Sequence, residues 1–235
     1  MTYYPYEYVK DNKPMGFDIE YMKQVTKYMH REPVFMDTRF TNLIIGLRSG
    51  KYDIMSSSLY ITPKRLEVID MVPYLKSGQS ILMRKDATED LKTMADLCGK
   101  KVATMQGSYA VKQLKLANES TCKGKGDIQI LEYPSAPEST SALFSHAADA
   151  QLTDAALSKG MIERMGDRLK VTSTEPLTPI LNGIGIRKGD TEVKEALVSA
   201  MKEFEKTPEY QQLLDKYGFK RLTQEDIDTL MPKAP

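Results

Sequence analysis

Cysteine and histidine are scarce in this chain, and long apolar runs are missing. Only two of each residue occur among 235. His30 and His146 stand alone in the sequence, and each reads as a surface or core histidine rather than a ligand or base. Cys98 and Cys122 form no CxxC pair and have no histidine near enough in sequence to join them, so no metal site is expected. GxSxG, HExxH, GxxxxGKS/T and GxGxxG are all absent. With them go the usual supports for a serine hydrolase, a zinc protease, a P-loop protein or a dinucleotide enzyme. Carboxylates are plentiful, yet no pair stands out from ordinary surface charge. No catalytic residue and no cofactor is therefore expected.

Charge of one sign is also missing. Lysine and arginine number 33 against 32 acidic residues, a formal net charge of +1. A nucleic-acid binder gathers a basic excess on one face, and none is visible, so nucleic acid is not an expected partner. The longest apolar stretches, such as Leu43-Ile44-Ile45, are far too short to span a bilayer. No cationic n-region and apolar h-region precede Tyr3, so any secretion signal is expected to lie outside this numbering. Two readings of the cysteines stand: unrelated buried thiols, or a single structural Cys98–Cys122 disulfide, which suits an oxidising compartment and is the expectation here.

What is present alternates. Asp18 to Met29 carries Tyr21, Met22, Val25 and Tyr28 at helical spacing. Thr41 reads as an N-cap, with Leu43, Ile44 and Leu47 inward and Gly50 as the stop. Tyr52 to Met55 is a short strand running into three serines. Thr62-Pro63 is a cap followed by proline at the first helical position. Met71-Val72 and Ser80 to Met83 are strand-like. The logic then starts afresh: a strand over Lys101 to Met105, a helix after Gln106-Gly107-Ser108 with Val111, Leu114 and Leu116 apolar, and a strand over Ile128 to Tyr133. Thr140 reads as the cap of the next helix, Ala150 to Thr153 as a strand, and Asp154 as the opening of another helix. Ile180 to Ile186 is a strand with two glycines, followed by helices striped by Val193, Leu197, Met201 and Phe204 and then by Tyr210, Leu213 and Leu214. Alternation of this kind indicates two α/β units with largely parallel sheets.

Three places are chemically suggestive. In Ser56-Ser57-Ser58-Leu59-Tyr60-Ile61-Thr62-Pro63-Lys64-Arg65, a strand ends in hydroxyls and an arginine follows a helix cap. A cation in a first helical turn opposes the macrodipole, and an anion held between Arg65 and the hydroxyls reverses that sign. The alternative is a solvated Arg65 paired with Glu67 or Asp70. Gln106-Gly107-Ser108-Tyr109 is a strand-to-helix turn that either receives an anion on its N–H groups or simply starts a helix. Asp154 is either a plain cap or a carboxylate placed to receive an ammonium at the carboxyl end of a strand. Tyr3 and Phe40 are aromatic candidates beside these segments.

Together with these, Tyr3-Tyr4-Pro5-Tyr6-Glu7-Tyr8, Gly16-Phe17-Asp18-Ile19-Glu20, Gly50-Lys51-Tyr52-Asp53, the Ile61 to Arg65 segment, Pro73-Tyr74, Gly99-Lys100-Lys101-Val102, Ala148-Asp149-Ala150 and Gly185-Ile186-Arg187-Lys188 resemble the family 3 extracellular solute-binding proteins of amino-acid ABC transporters. The resemblance implies a two-lobed type II periplasmic binding protein fold with two crossover strands as a hinge, matching Ser80 to Arg84 and Asn182 to Ile186. Lobe 1 is expected over 1–82 and 185–235, with lobe 2 inserted over 83–184. Arg65 falls on the arginine that holds a ligand carboxylate, helped by Gln106, Ser108 and Tyr109, and Asp154 on the acid that receives an α-ammonium. Ser57 and Ser58 match the strand end lining the interlobe cleft, and Tyr3 and Phe40 its walls. Tyr60 departs from the pattern, a ring standing where many members carry Ser or Thr. The family also has a strand before the aromatic segment, which this numbering is expected to lack.

The implied function is binding an amino-acid-like small molecule in the periplasm or outside the cell, and handing it to an ABC transporter permease. The alternatives are a periplasmic dehydratase acting on a prephenate-like substrate, since that fold resembles such enzymes, and the sensor module of a receptor.

Overall fold

The computed structural model of the chain describes residues 1–173 and 176–232. The first part contains β1 (Thr2–Tyr3), β2 (Glu7–Lys10), β3 (Lys13–Met15), α1 (Phe17–Tyr28), α2 (Leu43–Arg48), β4 (Ile54–Tyr60), α3 (Pro63–Leu66) and the long β5 (Ile69–Arg84). Next come β6 (Lys101–Met105), α4 (Tyr109–Glu119), β7 (Gln129–Tyr133), α5 (Ala136–Phe144), β8 (Ala150–Asp154), α6 (Ala155–Met165) and β9 (Leu169–Val171). The last part holds β10 (Leu177–Arg187), α7 (Thr191–Glu205), α8 (Pro208–Tyr217) and α9 (Gln224–Leu230). No described helix is long and apolar enough to cross a membrane.

These elements form two units. Unit 1 holds Met1, Pro5–Lys76 and the chain from Ile180 onward, and unit 2 holds Thr2–Tyr4 and Ser77–Pro179. The chain changes unit inside β5, between Lys76 and Ser77, and inside β10, between Pro179 and Ile180. Both changes fall before the 82/83 and 184/185 boundaries expected from the sequence. The segments expected as crossovers each lie inside one unit, because their backbone groups are already paired there. Ser80 to Leu82 pair with β8 and Leu82 to Arg84 with β9, while Asn182 to Ile186 pair with β4.

Unit 1 is built on the strand order β4-β10-β5. A β2–β3 hairpin stands beside it, closed by Asp11 and Asn12 at positive φ (50° and 57°). A two-residue turn with both central residues left-handed matches the twist of antiparallel strands. Leu43, Leu47, Met55, Leu59, Ile61, Ile69, Met71 and Leu181 make one apolar core cluster. A second core region is aromatic. Phe17 and Tyr21 of α1 pack with Tyr74, Phe204, Tyr210 and Phe219 at centroid separations of 4.9–6.3 Å.

Unit 2 has the strand order β5-β8-β6-β7, with β9 on β5. β6 runs parallel to both β7 and β8. Successive residues along these strands enter opposite clusters, as a pleated strand requires. Ile81, Met83 and Val102 join Leu114, Ala117 and Leu152 in one, and Leu82 and Ala103 join Leu143, Leu157 and Met161 in the other. Both faces of this sheet are covered, as its parallel pairs require, but β5 pairs antiparallel with β8 and β9, and β10 with β4, so the pairing is mixed rather than largely parallel as expected. Cys98 and Cys122 are joined in a disulfide with 5.2 Å between their Cα atoms.

Two caps differ from expectation. The turn before α2 is a 3-10 segment over Phe40–Asn42, so Thr41 lies inside a helical turn rather than capping one. Ser135, not Thr140, caps α5 by accepting the Glu138 N–H, and proline follows in the first turn. Thr140 is buried in mid-helix, where its hydroxyl donates to Ala136 O and to Gln151 Oε1. Thr and Ser satisfy themselves inside helices by such back-bonding, so a hydroxyl alone is an ambiguous start signal. Leu116 is 44% exposed and is not part of the core face of α4.

Candidate functional site

In unit 1 the candidate residues converge where β4 ends. Ser57 and Ser58 lie on β4, buried, and Tyr60 closes the strand, also buried. Thr62 caps α3 by accepting the Arg65 N–H, and Pro63 takes the first helical position, as the sequence indicated. α3 is only four residues long, so a helix dipole is too small to account for Arg65. The guanidinium is fixed otherwise. Arg65 Nη1 donates to Tyr60 O at 2.8 Å, and the guanidinium carbon lies 5.8 Å from the Phe40 ring centroid. This brings Phe40, Tyr60 and Arg65 together and leaves a planar cation half-buried against an aromatic face. Asp70, one of the alternative partners for Arg65, is engaged by Lys188 at 3.1 Å and by the Gly189 N–H at 3.0 Å.

The two serines rest on two acids, Glu7 and Asp18, which the sequence marks only as parts of longer motifs. Ser57 Oγ donates to Glu7 Oε1 at 2.5 Å. The Ser58 N–H donates to Asp18 Oδ2 at 2.8 Å, and Tyr74 Oη donates to Asp18 Oδ1 at 2.7 Å. Asn182 Nδ2 donates to Ser58 Oγ at 2.6 Å and to Ser58 O at 3.2 Å. Ser58 has a φ of +44°, an unfavourable conformation for a residue with a Cβ, and this set of bonds holds it there.

Gly16 explains how the two acids meet. Its φ is +121°, and a Cβ there would lie 2.3 Å from Tyr6 O. The start of α1 therefore sits directly on the Pro5-Tyr6 backbone, with the Phe17 and Asp18 N–H groups donating to Pro5 O and Tyr6 O. Burial pushes the Glu7 carboxyl well above the ordinary range, and the negative Asp18 beside it adds to that, outweighing the Ser57 hydrogen bond and the Met1 ammonium.

In unit 2 the other candidates follow the carboxyl ends of two neighbouring parallel strands, β6 and β8. Gln106 is exposed and its N–H donates to Tyr133 O at 2.8 Å. Ser108 precedes α4 without a side-chain cap bond, its hydroxyl instead 3.2 Å from Thr104 Oγ1. Tyr109 opens α4 half-buried, and burial raises its phenol against a Gln113 hydrogen bond that lowers it.

Asp154 is 3% exposed and does cap α6, with Oδ1 accepting the Ala156 and Leu157 N–H groups at 2.9 and 3.2 Å. Its Oδ2 accepts the Ser77 hydroxyl at 2.6 Å. Ser77 was missed by sequence reasoning, since nothing about a lone serine in a strand marks it. Tyr3, expected as a wall around the ligand's side chain, is half-buried and packs on the unit 2 cluster of Leu82, Leu143 and Leu157. A half-buried ring at the start of a chain goes where apolar surface is offered.

Known proteins resemble this chain closely. The family model for bacterial extracellular solute-binding proteins, family 3, matches residues 1–220. The histidine-binding periplasmic protein of Salmonella typhimurium is 31% identical over 223 residues, covering 92% of this chain and 84% of that protein. Among solved structures, an ancestral arginine-binding protein bound to glutamine superposes with a TM-score of 0.84 at 27% identity, covering 92% of this chain and 93% of the other. An ancestral amino acid-binding protein, a precursor of cyclohexadienyl dehydratase, gives a TM-score of 0.80 at 29% identity, with 93% and 92% covered. The fold is that of the type II periplasmic binding proteins. Its fold and a family match running from the first residue to position 220 lead to one conclusion: the chain belongs to family 3 of the bacterial extracellular solute-binding proteins.

Proposed function

We propose that this protein binds a small solute, an amino acid or a closely related carboxylate, in the periplasm or outside the cell, and delivers it to an ABC transporter permease without chemical turnover. The observation that carries this reading is the family match over nearly the whole chain. The side chains support it. Arg65 supplies a planar cation suited to gripping a carboxylate at two points. Asp154 supplies a buried carboxylate whose Oδ1 is already engaged by α6, and it is assigned to the ligand's ammonium. Phe40 and Tyr3 are assigned to the ligand's side chain, with Ser57, Ser58, Tyr60, Gln106, Ser108 and Tyr109 as supporting contacts.

The test is calorimetric titration of the purified, ligand-stripped protein with the twenty standard L-amino acids, histidine, arginine and glutamine first. Saturable binding of at least one, abolished or much weakened in Arg65→Ala, is the expected result. Absence of binding to all twenty would remove the amino-acid assignment. A dehydratase reading is favoured by one observation, the likeness to a dehydratase precursor. Incubation with prephenate-like substrates followed by mass spectrometry separates the two, and product formation would replace the binding reading.

A further inference from the structure

Glu7 and Asp18 are two carboxyl groups buried together in unit 1, at 8% and 1% exposure. Asp18 already accepts hydrogen bonds on both oxygens, from Tyr74 Oη and the Ser58 N–H. Glu7 accepts the Ser57 hydroxyl on Oε1, but its buried Oε2 receives no N–H or O–H donor among the described residues. An ionised carboxylate oxygen left in that position would carry uncompensated charge beside another acid, a costly arrangement. A proton on Oε2 removes the difficulty. Glu7 then becomes a donor, and the Asp18 carboxylate buried beside it is the acceptor at hand.

We propose that Glu7 and Asp18 share one proton as a buried acid pair, and that this pair positions Ser57 and Ser58 for ligand binding. The assignment of the serines to ligand contact rests on the proposed function; the proton-sharing pair rests on the burial of both carboxyls and on the Glu7 Oε2 that lacks a donor. With the proton on Glu7 Oε2, its Oε1 is a pure acceptor, so the Ser57 hydroxyl proton is committed inward and the outer side of its oxygen offers lone pairs. Asp18, remaining ionised, is a strong acceptor for the Ser58 N–H and holds that residue in its left-handed conformation. Charged and titratable groups facing Glu7 are Asp18 from α1, Tyr74 from β5 and the Met1 ammonium, and Ser57 faces it from β4.

The sign of the pH dependence follows from burial. Glu7 keeps its proton when folded, while in the unfolded chain it ionises near its ordinary value of 4.5. Its contribution to stability is full below that value and is lost as pH rises through the folded pKa. Three measurements on the full chain test the proposal.

Infrared difference spectra of the wild type against Glu7→Gln at pH 7 should show a protonated carboxyl band lost in the variant; no such band overturns the shared proton. The melting temperature of the wild type relative to Glu7→Gln should decline as pH rises above about 4.5, and a constant difference counts against the pair. Glu7→Leu removes the acceptor for Ser57 and should shift the Ser57 and Ser58 amide resonances, where Glu7→Gln, with an acceptor and a donor in place, shifts them far less. Unmoved resonances in Glu7→Leu overturn the positioning role. Should Glu7→Leu not fold, Asp18→Asn gives the same reading, since a neutral amide weakens the Ser58 contact. For whichever amino acid binds, Glu7→Leu should weaken affinity at least about tenfold more than Glu7→Gln does. If no amino acid binds, the proposed function fails while the band and the resonances still decide the acid pair.

Discussion

Arg65 and Asp154 differ in how much of their work is structural. Arg65 packs on the Phe40 ring and donates to the Tyr60 carbonyl, and Arg65→Ala should cost less stability than the loss of a helix cap does. Asp154 caps α6, and Asp154→Ala should cost about 1 kcal/mol of stability through the lost cap. Asp154→Asn keeps an oxygen for the helix N–H groups and removes the charge. On the proposed function, Arg65→Ala and Asp154→Asn each leave a ligand charge unpaired, at about 2–5 kcal/mol, or roughly thirtyfold to several-thousandfold in Kd. Arg65→Lys should also fail, since an ammonium lacks the planar fork. Titration calorimetry beside thermal melts measures both effects. Normal binding by Asp154→Asn with loss in Arg65→Ala would mean a ligand with a carboxylate and no ammonium. The residues that sequence reasoning named are those whose chemistry is locally marked, by a cap, a run of hydroxyls or a strand end. Glu7, Ser77 and Asn182 escaped it because their roles arise from partners 50, 77 and 124 positions away.

At the scale of elements, alternation and caps were legible because they are local. The Thr62 cap stands where the sequence put it, and so do the buried stripes of α7 and α8, except that Val193 is only half-buried. What periodicity could not give was which strands sit side by side, since β10 enters between β4 and β5 from far along the chain. Its two glycines, uninformative in sequence, have a packing reason. β10 and β4 shift register between Gly183 and Gly185, and a Cβ on Gly183 would lie 2.7 Å from Ile61 Cγ1. Gly183→Ala should therefore overpack this bulge and destabilise the protein by about 1–3 kcal/mol. Chemical denaturation measures that loss, and a stability equal to the wild type would show that Ile61 moves aside at little cost.

Across the whole molecule, one covalent link lies in unit 2. The Cys98–Cys122 bond spans a separation of 24 residues, and closing a loop of that size restricts the unfolded chain by roughly 3–4 kcal/mol on the entropic account. Reduction should lower the denaturation midpoint by a matching amount, and intact mass without reductant should show no alkylatable thiol. Two reactive thiols in protein from an oxidising compartment would contradict the bond. The order β4-β10-β5 has a further consequence for a chain acquiring its structure from one end. Unit 2 has all its strands once residue 179 is in place, because its main segment is continuous. Unit 1 at that moment has β4 and β5 but not the unit 1 part of the strand that separates them. Until residues 180–187 arrive, two apolar strand edges stand open with their N–H and C=O groups unpaired, which is where a nascent or refolding chain is most exposed to pairing with another copy of itself.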